Sequence, residues 1–174
     1  LHLWETFDSR FTECFFEWLG SSDGTKPGIL LRSGTFDAGD GEYTREFTNQ
    51  CHFTDCHFES YRGTAVGTAG SNTNEIFFLN TKFESISSTQ SHVVIDDASI
   101  IFMDGVTITS RGPAGQVLPP LLSAKDANLI EFNGFIEIAG GAGNCGLPSS
   151  LIELDNVMGA NINLHVNNSV ENIS

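Results

Sequence analysis

Apolar and polar positions recur along this chain in one repeated arrangement. Phe11-Thr12-Glu13-Cys14-Phe15-Phe16-Glu17, Phe53-Thr54-Asp55-Cys56-His57-Phe58-Glu59 and Phe78-Leu79-Asn80-Thr81-Lys82-Phe83-Glu84 share the form Phe-x-acid/amide-x-x-Phe-Glu. Weaker copies follow at Phe102-Met103-Asp104-Gly105-Val106 and Phe132-Asn133-Gly134-Phe135. Between Glu13, Asp55, Asn80, Asp104 and Asn133 the steps are 42, 25, 24 and 29 residues. The first step reads as two turns, with Ile29-Leu30-Leu31 supplying the middle one, so each coil takes roughly 20–30 residues, a period typical of solenoids. Leucine-rich repeats need a recurring Leu-x-x-Leu-x-Leu, which is absent. A second register supports the first: Val93, Leu122 and Leu151 are spaced by 29, as are Asp97, Asp126 and Asp155, whose regularity predicts a corner role.

Within one coil, Val93-Val94-Ile95, Ile100-Ile101-Phe102 and Val106-Thr107-Ile108 read as three short strands bounded by Asp, Gly or Ser turn chemistry. The pattern predicts an all-β chain, a right-handed parallel β-helix with about three strands per coil, as a single domain over residues 1–174. A coil cannot bury its apolar face alone, so neighbours stack at about 4.8 Å and equivalent side chains form ladders. Phe11, Phe53, Phe78, Phe102 and Phe132 make one expected internal ladder, and Phe16, Phe58, Phe83 and Phe135 another. Asp55, Asn80, Asp104 and Asn133 are expected at corners, because Asp and Asn tolerate the left-handed backbone of a tight turn. Glu13 fits that role less well.

Fourteen Phe would suit a binding surface, but the ladders place most of them inside. Eight basic against 22 acidic residues give a formal charge of −14, which repels nucleic acid and anionic membranes. No apolar run reaches the length of a membrane span. The first residue is Leu, no leader-like segment follows it, and the chain stops inside an apparent coil, so a piece of a longer chain is expected. Cys14 and Cys56 hold one repeat position two coils apart, roughly 10 Å, too far for a disulfide. They read as buried free thiols in an internal ladder, and with Cys51 and Cys145 the four suggest no disulfide-dependent secreted module, which fits assembly in a reducing cytoplasm. Cys and His spacings suggest no metal site, and no cofactor is expected. Asn167-Asn168-Ser169 and Asn172-Ile173-Ser174 match the N-glycosylation tripeptide.

The Phe-x-Asp-Cys-x-Phe-Glu coil at 53–59 resembles those of the pectate-lyase-like β-helices of bacteriophage tailspikes and tail appendages. That resemblance implies a homotrimer of side-by-side β-helices in the virion, assembled in the host cytoplasm, which binds and often hydrolyses host surface polysaccharide. A secreted, extracellular location is the alternative. Asp96-Asp97 is similar to the paired aspartates of polygalacturonases, but the Gly-His-Gly and Arg-x-Lys of that family are missing.

Glycoside hydrolysis needs two carboxyl groups at a set separation, and outward residues on adjacent coils provide such pairs. With Phe58 and Phe83 inward, alternation sends Glu59 and Glu84 outward on neighbouring coils beside His57 and Lys82. Repulsion between stacked carboxylates is expected to raise one pKa, as an acid–base pair requires. Asp96, the non-repeating neighbour of Asp97 with Lys125 as its counterpart one coil on, is a further catalytic candidate. Rings outside the ladders, Trp4, Trp18, Tyr43 and Tyr61, are candidate sugar contacts, with Tyr43 and Tyr61 preferred. Three stretches, 33–49, 61–74 and 111–120, interrupt the coils, although 63–70 could equally be a plain strand. Three readings follow: a glycan-binding segment of a phage tailspike or fibre, a polysaccharide depolymerase, and a structural spacer of a trimeric fibre.

Overall fold

A computed structural model describes residues 1–4, 7–21, 23–32, 34–37, 42–45, 48–69, 73–85, 89–111, 117–138 and 150–168, with backbone only at 2, 4, 34–37, 42–45, 69 and 168. Among these residues every regular element is a strand: β1 (His2–Trp4), β2 (Phe7–Thr12), β3 (Phe15–Glu17), β4 (Ile29–Arg32), β5 (Gly34–Asp37), β6 (Glu42–Arg45), β7 (Asn49–Thr54), β8 (His57–Tyr61), β9 (Val66–Ala69), β10 (Thr73–Leu79), β11 (Lys82–Ser85), β12 (Val93–Ser110), β13 (Leu122–Ile138), β14 (Ile152–Asp155) and β15 (Gly159–Asn168).

All pairings are parallel except the β5–β6 hairpin, and they sort into three faces. The first face stacks β1, β4, β9, the starts of β12 and β13, and β14. The second stacks β2, β7, β10, the middles of β12 and β13, and the start of β15. On the third lie β3, β8, β11, the ends of β12 and β13, and the end of β15. The chain is a parallel β-helix. Its three short strands per coil run on as single long strands in β12 and β13, bent in β12 at Asp97 (φ 56°) and Gly105 (φ 64°).

Two Phe ladders fill the corner between the second and third faces. Phe11, Phe53 and Phe78 stack at ring separations of 5.1 and 5.2 Å, and Phe16, Phe58 and Phe83 at 4.8 and 4.9 Å. The ladders meet edge to face, as at Phe53–Phe58, 5.7 Å. Each buried ring contributes about 1.5–3 kcal/mol by removal from water, and favourable ring geometry adds about 0.5–1.5. Between the ladders the backbone turns through left-handed residues in register, Glu13 (φ 54°), Asp55 (φ 54°) and Asn80 (φ 48°). Glu13 therefore does hold a corner, in a conformation that an L-residue adopts at a cost of about 1–2 kcal/mol.

Several expectations change. Phe11 pairs directly with Phe53, so the 42-residue step is one coil, enlarged by an insertion that contains the β5–β6 hairpin. The Ile29–Leu31 run lies on the first face. The stretch 61–74 contains β9, a plain strand of the coil. Beyond β10 the ladders shift by one residue: Phe78 continues to Met103 and Phe132, while Phe83 continues to Ile108 and Ile136. Phe102 and Phe135 point outward. The corner here is Gly105, leaving Asp104 and Asn133 as strand residues paired side by side. One coil later Gly134 pairs with Val106 without an extra corner residue, and a Cβ there would collide with the Val106 carbonyl oxygen. On the first face Leu122 pairs with Ile152 and Lys125 with Asp155, so Asn156 takes the third corner after Asp97 and Asp126. Asn156 Nδ2 donates to Asp126 Oδ1 at 2.5 Å.

Because the long step is one coil, Cys14 and Cys56 are neighbours on adjacent coils, and the His57 backbone N–H donates to the Cys14 carbonyl at 2.9 Å. Both are free thiols, and burial pushes the Cys56 thiol up. Cys56 Sγ donates to the Phe11 carbonyl of the preceding coil at 3.3 Å, and Thr81 Oγ1, the next residue in the column, donates likewise to Phe53 at 2.9 Å. In these two coils a small side-chain donor at this position ties one coil to the one before it, and in the next coil Val106 fills the place without one. Cys145 and Asn172 lie outside the described residues.

Candidate functional site

The cluster expected on the third face is assembled in register. Phe58 and Phe83 are fully buried, so strand alternation turns His57 and Lys82, and likewise Glu59 and Glu84, outward as adjacent pairs on β8 and β11. Lys82 Nζ lies 2.7 Å from Glu84 Oε2, and Arg111 Nη2 2.9 Å from Glu84 Oε1. His57 Nε2 sits 3.7 Å from Glu84 and 3.8 Å from Glu59, with the Phe15 ring edge-on at 5.0 Å. The Lys82 hydrogen bond, with the nearby charges of Lys82, Arg111 and His57, holds the Glu84 carboxyl below its usual range against partial burial. The expected upward shift from a stacked carboxylate is therefore reversed at Glu84, because the Lys82 hydrogen bond and the Lys82 and Arg111 cations outweigh one neighbouring anion. Both Glu84 oxygens are engaged, which suits a charge-neutralised knot better than a proton donor.

Tyr61, a preferred sugar contact, is only 1% exposed. Simple alternation from Phe58 would turn it outward, but Ser60 adopts a left-handed conformation (φ 60°) and the register slips there, so Tyr61 swings into the core opposite Ser85. Its hydroxyl pairs with Nδ1 of the equally buried His92. Burial raises the Tyr61 pKa, reinforced by the Glu84 charge, and lowers that of His92 to about 3. Trp18 is 70% exposed beside a groove of about 310 Å³ shared with Leu19, Ser21, Ser60 and Arg62. The side chains of Trp4 in β1 and Tyr43 in β6 lie outside the described residues. Asp96 is exposed on the first face in a column Asp96–Lys125–Asp155, and its backbone is clasped by Thr68 Oγ1 at 2.7 and 2.8 Å. It is thus on a different face from Glu59 and Glu84.

The second face holds an outward surface that the sequence reading did not assign. His52 stacks on Phe77 with ring centroids 4.5 Å apart, and Phe102 follows at 6.1 Å, tilted by 50°. The same column continues through Glu131 and Asn161. Two residues along each strand runs a polar column, Asp104, Asn133 and Asn163. Asn133 Nδ2 donates to Asp104 Oδ1 at 2.8 Å, and Asn163 Nδ2 to Asn133 Oδ1 at 3.3 Å. Over the coils from Phe102 to Asn161 and from Asp104 to Asn163, these columns line an open groove of about 500 Å³. A signal for it was present in Phe77-Phe78 and Phe102-Met103: where two large apolar residues are adjacent in a strand, alternation forces one outward.

Among the described residues, no group of three His, Cys, Asp or Glu side chains is placed to hold a metal ion. No family model, no curated protein and no solved structure matches this chain.

Proposed function

We propose that this β-helix binds polysaccharide along the outer groove of its second face, as a segment of a phage tailspike or tail fibre contacting host cell-surface glycan. The observation that carries this reading is the juxtaposition of an outward ring, Phe102, which Phe77 adjoins one coil earlier, with a hydrogen-bonded polar column, Asp104, Asn133 and Asn163. An apolar ring face packs on the face of a pyranose, while carboxylates and amides beside it pair with its hydroxyls. Repetition at the strand spacing offers successive units of a chain-like ligand equivalent contacts. Placement of the segment in a trimeric virion fibre rests on the repeat chemistry alone.

Binding is favoured over depolymerisation by the state of Glu84, whose oxygens are both taken by Lys82 and Arg111. An inert spacer would be expected to expose a smooth, evenly charged surface, and a groove with the half-buried, outward ring of Phe102 is not one. The test is retention of purified bacterial surface polysaccharides by the wild-type chain and by Phe102→Ala, scoring affinity and product size together. Phe102→Ala should weaken binding at least about tenfold, or ~1.4 kcal/mol, with circular dichroism unchanged. Unchanged affinity, or no retention of any polysaccharide, overturns the proposal; shortened products favour the depolymerase reading.

A further inference from the structure

Resting on that reading of the groove, we infer that it selects glycans that are uncharged or bear free amines, and rejects polyuronates and other polyanionic chains. Two observations converge. The first is charge. Asp104 and Glu131 flank Phe102 across two adjacent coils, and among the described residues neither makes an ion pair. No cation lines the groove. Lys82 and Arg111 are committed to Glu84 on the third face, Arg10 to Asp8 at 2.8 Å, and Lys125 approaches Asp126 at 3.8 Å. A uronate, sulfate or phosphate seated on Phe102 would face two carboxylates within the Debye length of about 10 Å at 0.1 M salt, in a chain of formal charge −14. An ammonium group in the same place would be attracted by both carboxylates and by the ring face.

The second observation is the direction of the polar column. Asn133 gives an amide N–H to Asp104, and Asn163 gives one to Asn133, so part of the donor capacity is used within the column. Glu131, ionised, only accepts, and Asp104 keeps a second oxygen beyond the one that Asn133 occupies. What faces a ligand is biased towards acceptors. Hydroxyl and ammonium groups donate to such a surface, whereas carboxylate, sulfate and phosphate cannot.

The experiment measures retention of bacterial surface polysaccharides of neutral, amine-bearing and uronate composition, with chitosan and polygalacturonate as reference probes, in 20 mM and 150 mM salt. The wild type, Phe102→Ala and the double variant Asp104→Asn/Glu131→Gln are compared, and only Phe102-dependent retention counts. Neutral or amine-bearing chains should be retained and uronate chains should bind at least tenfold more weakly. The double variant should narrow that gap at least fivefold and lose any preference for amines. Phe102-dependent binding of uronate chains as tight as that of neutral ones overturns the inference and leaves the glycan-binding function standing. The inference also falls if the double variant leaves the ratio unchanged. Absence of any Phe102-dependent retention overturns both.

Discussion

The second and third faces of this β-helix are built by the same coils, yet their outer surfaces are opposite in character. On the third face the register stacks His57 with Lys82 and Glu59 with Glu84, and the two columns run side by side, so unlike charges adjoin between columns and cancel. On the second face it sets Phe77 beside Phe102 and Asp104 beside Asn133, so similar groups accumulate and stay available. In a solenoid each position is multiplied by stacking. Two neighbouring columns of opposite charge neutralise each other, and columns without an opposite neighbour become a surface with a use.

Acid tests the comparison most severely. The third-face knot lies above the buried Tyr61–His92 pair, coupled to it through the Glu84 charge. His92 is held neutral, with its pKa lowered from 6.5 to about 3 by burial. Above pH 6.5 neither the folded nor the unfolded chain protonates it. Between 6.5 and about 3 only the unfolded chain does, so stability falls with pH by up to about 1.4 kcal/mol per unit. Glu84, whose folded pKa is depressed, stabilises the fold above its ordinary value of 4.5 and loses that contribution as pH falls through the lowered one. Denaturant midpoints at pH 7, 5 and 4 should therefore drop steadily, and His92→Gln, which keeps a hydrogen-bonding partner for Tyr61 without titrating, should flatten the decline above pH 5. A wild-type midpoint independent of pH over this range would contradict a buried neutral His92.

A smaller effect distinguishes carboxylates within the third face. Glu84→Gln removes two short charge-assisted contacts and should cost about 1–2 kcal/mol of stability by denaturant titration. Glu59→Gln, with only His57 nearby at 3.8 Å, should cost no more than about 0.5 kcal/mol. Neither should alter glycan retention. Equal losses in the two variants would mean that the knot at Glu84 is not the organising contact.

Much of this was legible in the sequence. Parallel coils, the ladders Phe11–Phe53–Phe78 and Phe16–Phe58–Phe83, the corners at Asp55 and Asn80, and the outward pairing of Glu59 with Glu84 all follow from one repeat and strand alternation. The misreadings share a cause. Phe102 and Phe135 belong to the weaker copies of the repeat, where the corner moves to Gly105 and is absent one coil later, and a one-residue slip reverses every side chain. Tyr61 fails the same way at the left-handed Ser60. An inserted hairpin disguised one coil as two. These are single-residue backbone choices that residue type only weakly dictates. The groove followed from them, so it became visible only once the register was known.

The smallest predicted effect is the most direct contrast between the faces. Glu131 lies on the second face, partly exposed, with no described ion pair, one coil from Asp104 and in a chain carrying 14 more negative than positive charges. Glu131→Gln removes repulsion and no attraction, so its stability should change by no more than about 0.5 kcal/mol, in the stabilising direction, and the change should shrink as salt is raised from 20 to 500 mM. Glu84→Gln is the same chemical change on the other face and should destabilise at every salt concentration, because its contacts are short and partly buried. If Glu131→Gln proved as destabilising as Glu84→Gln, Glu131 would have a structural partner, and the second face could no longer be described as a surface whose charges are left free for a ligand.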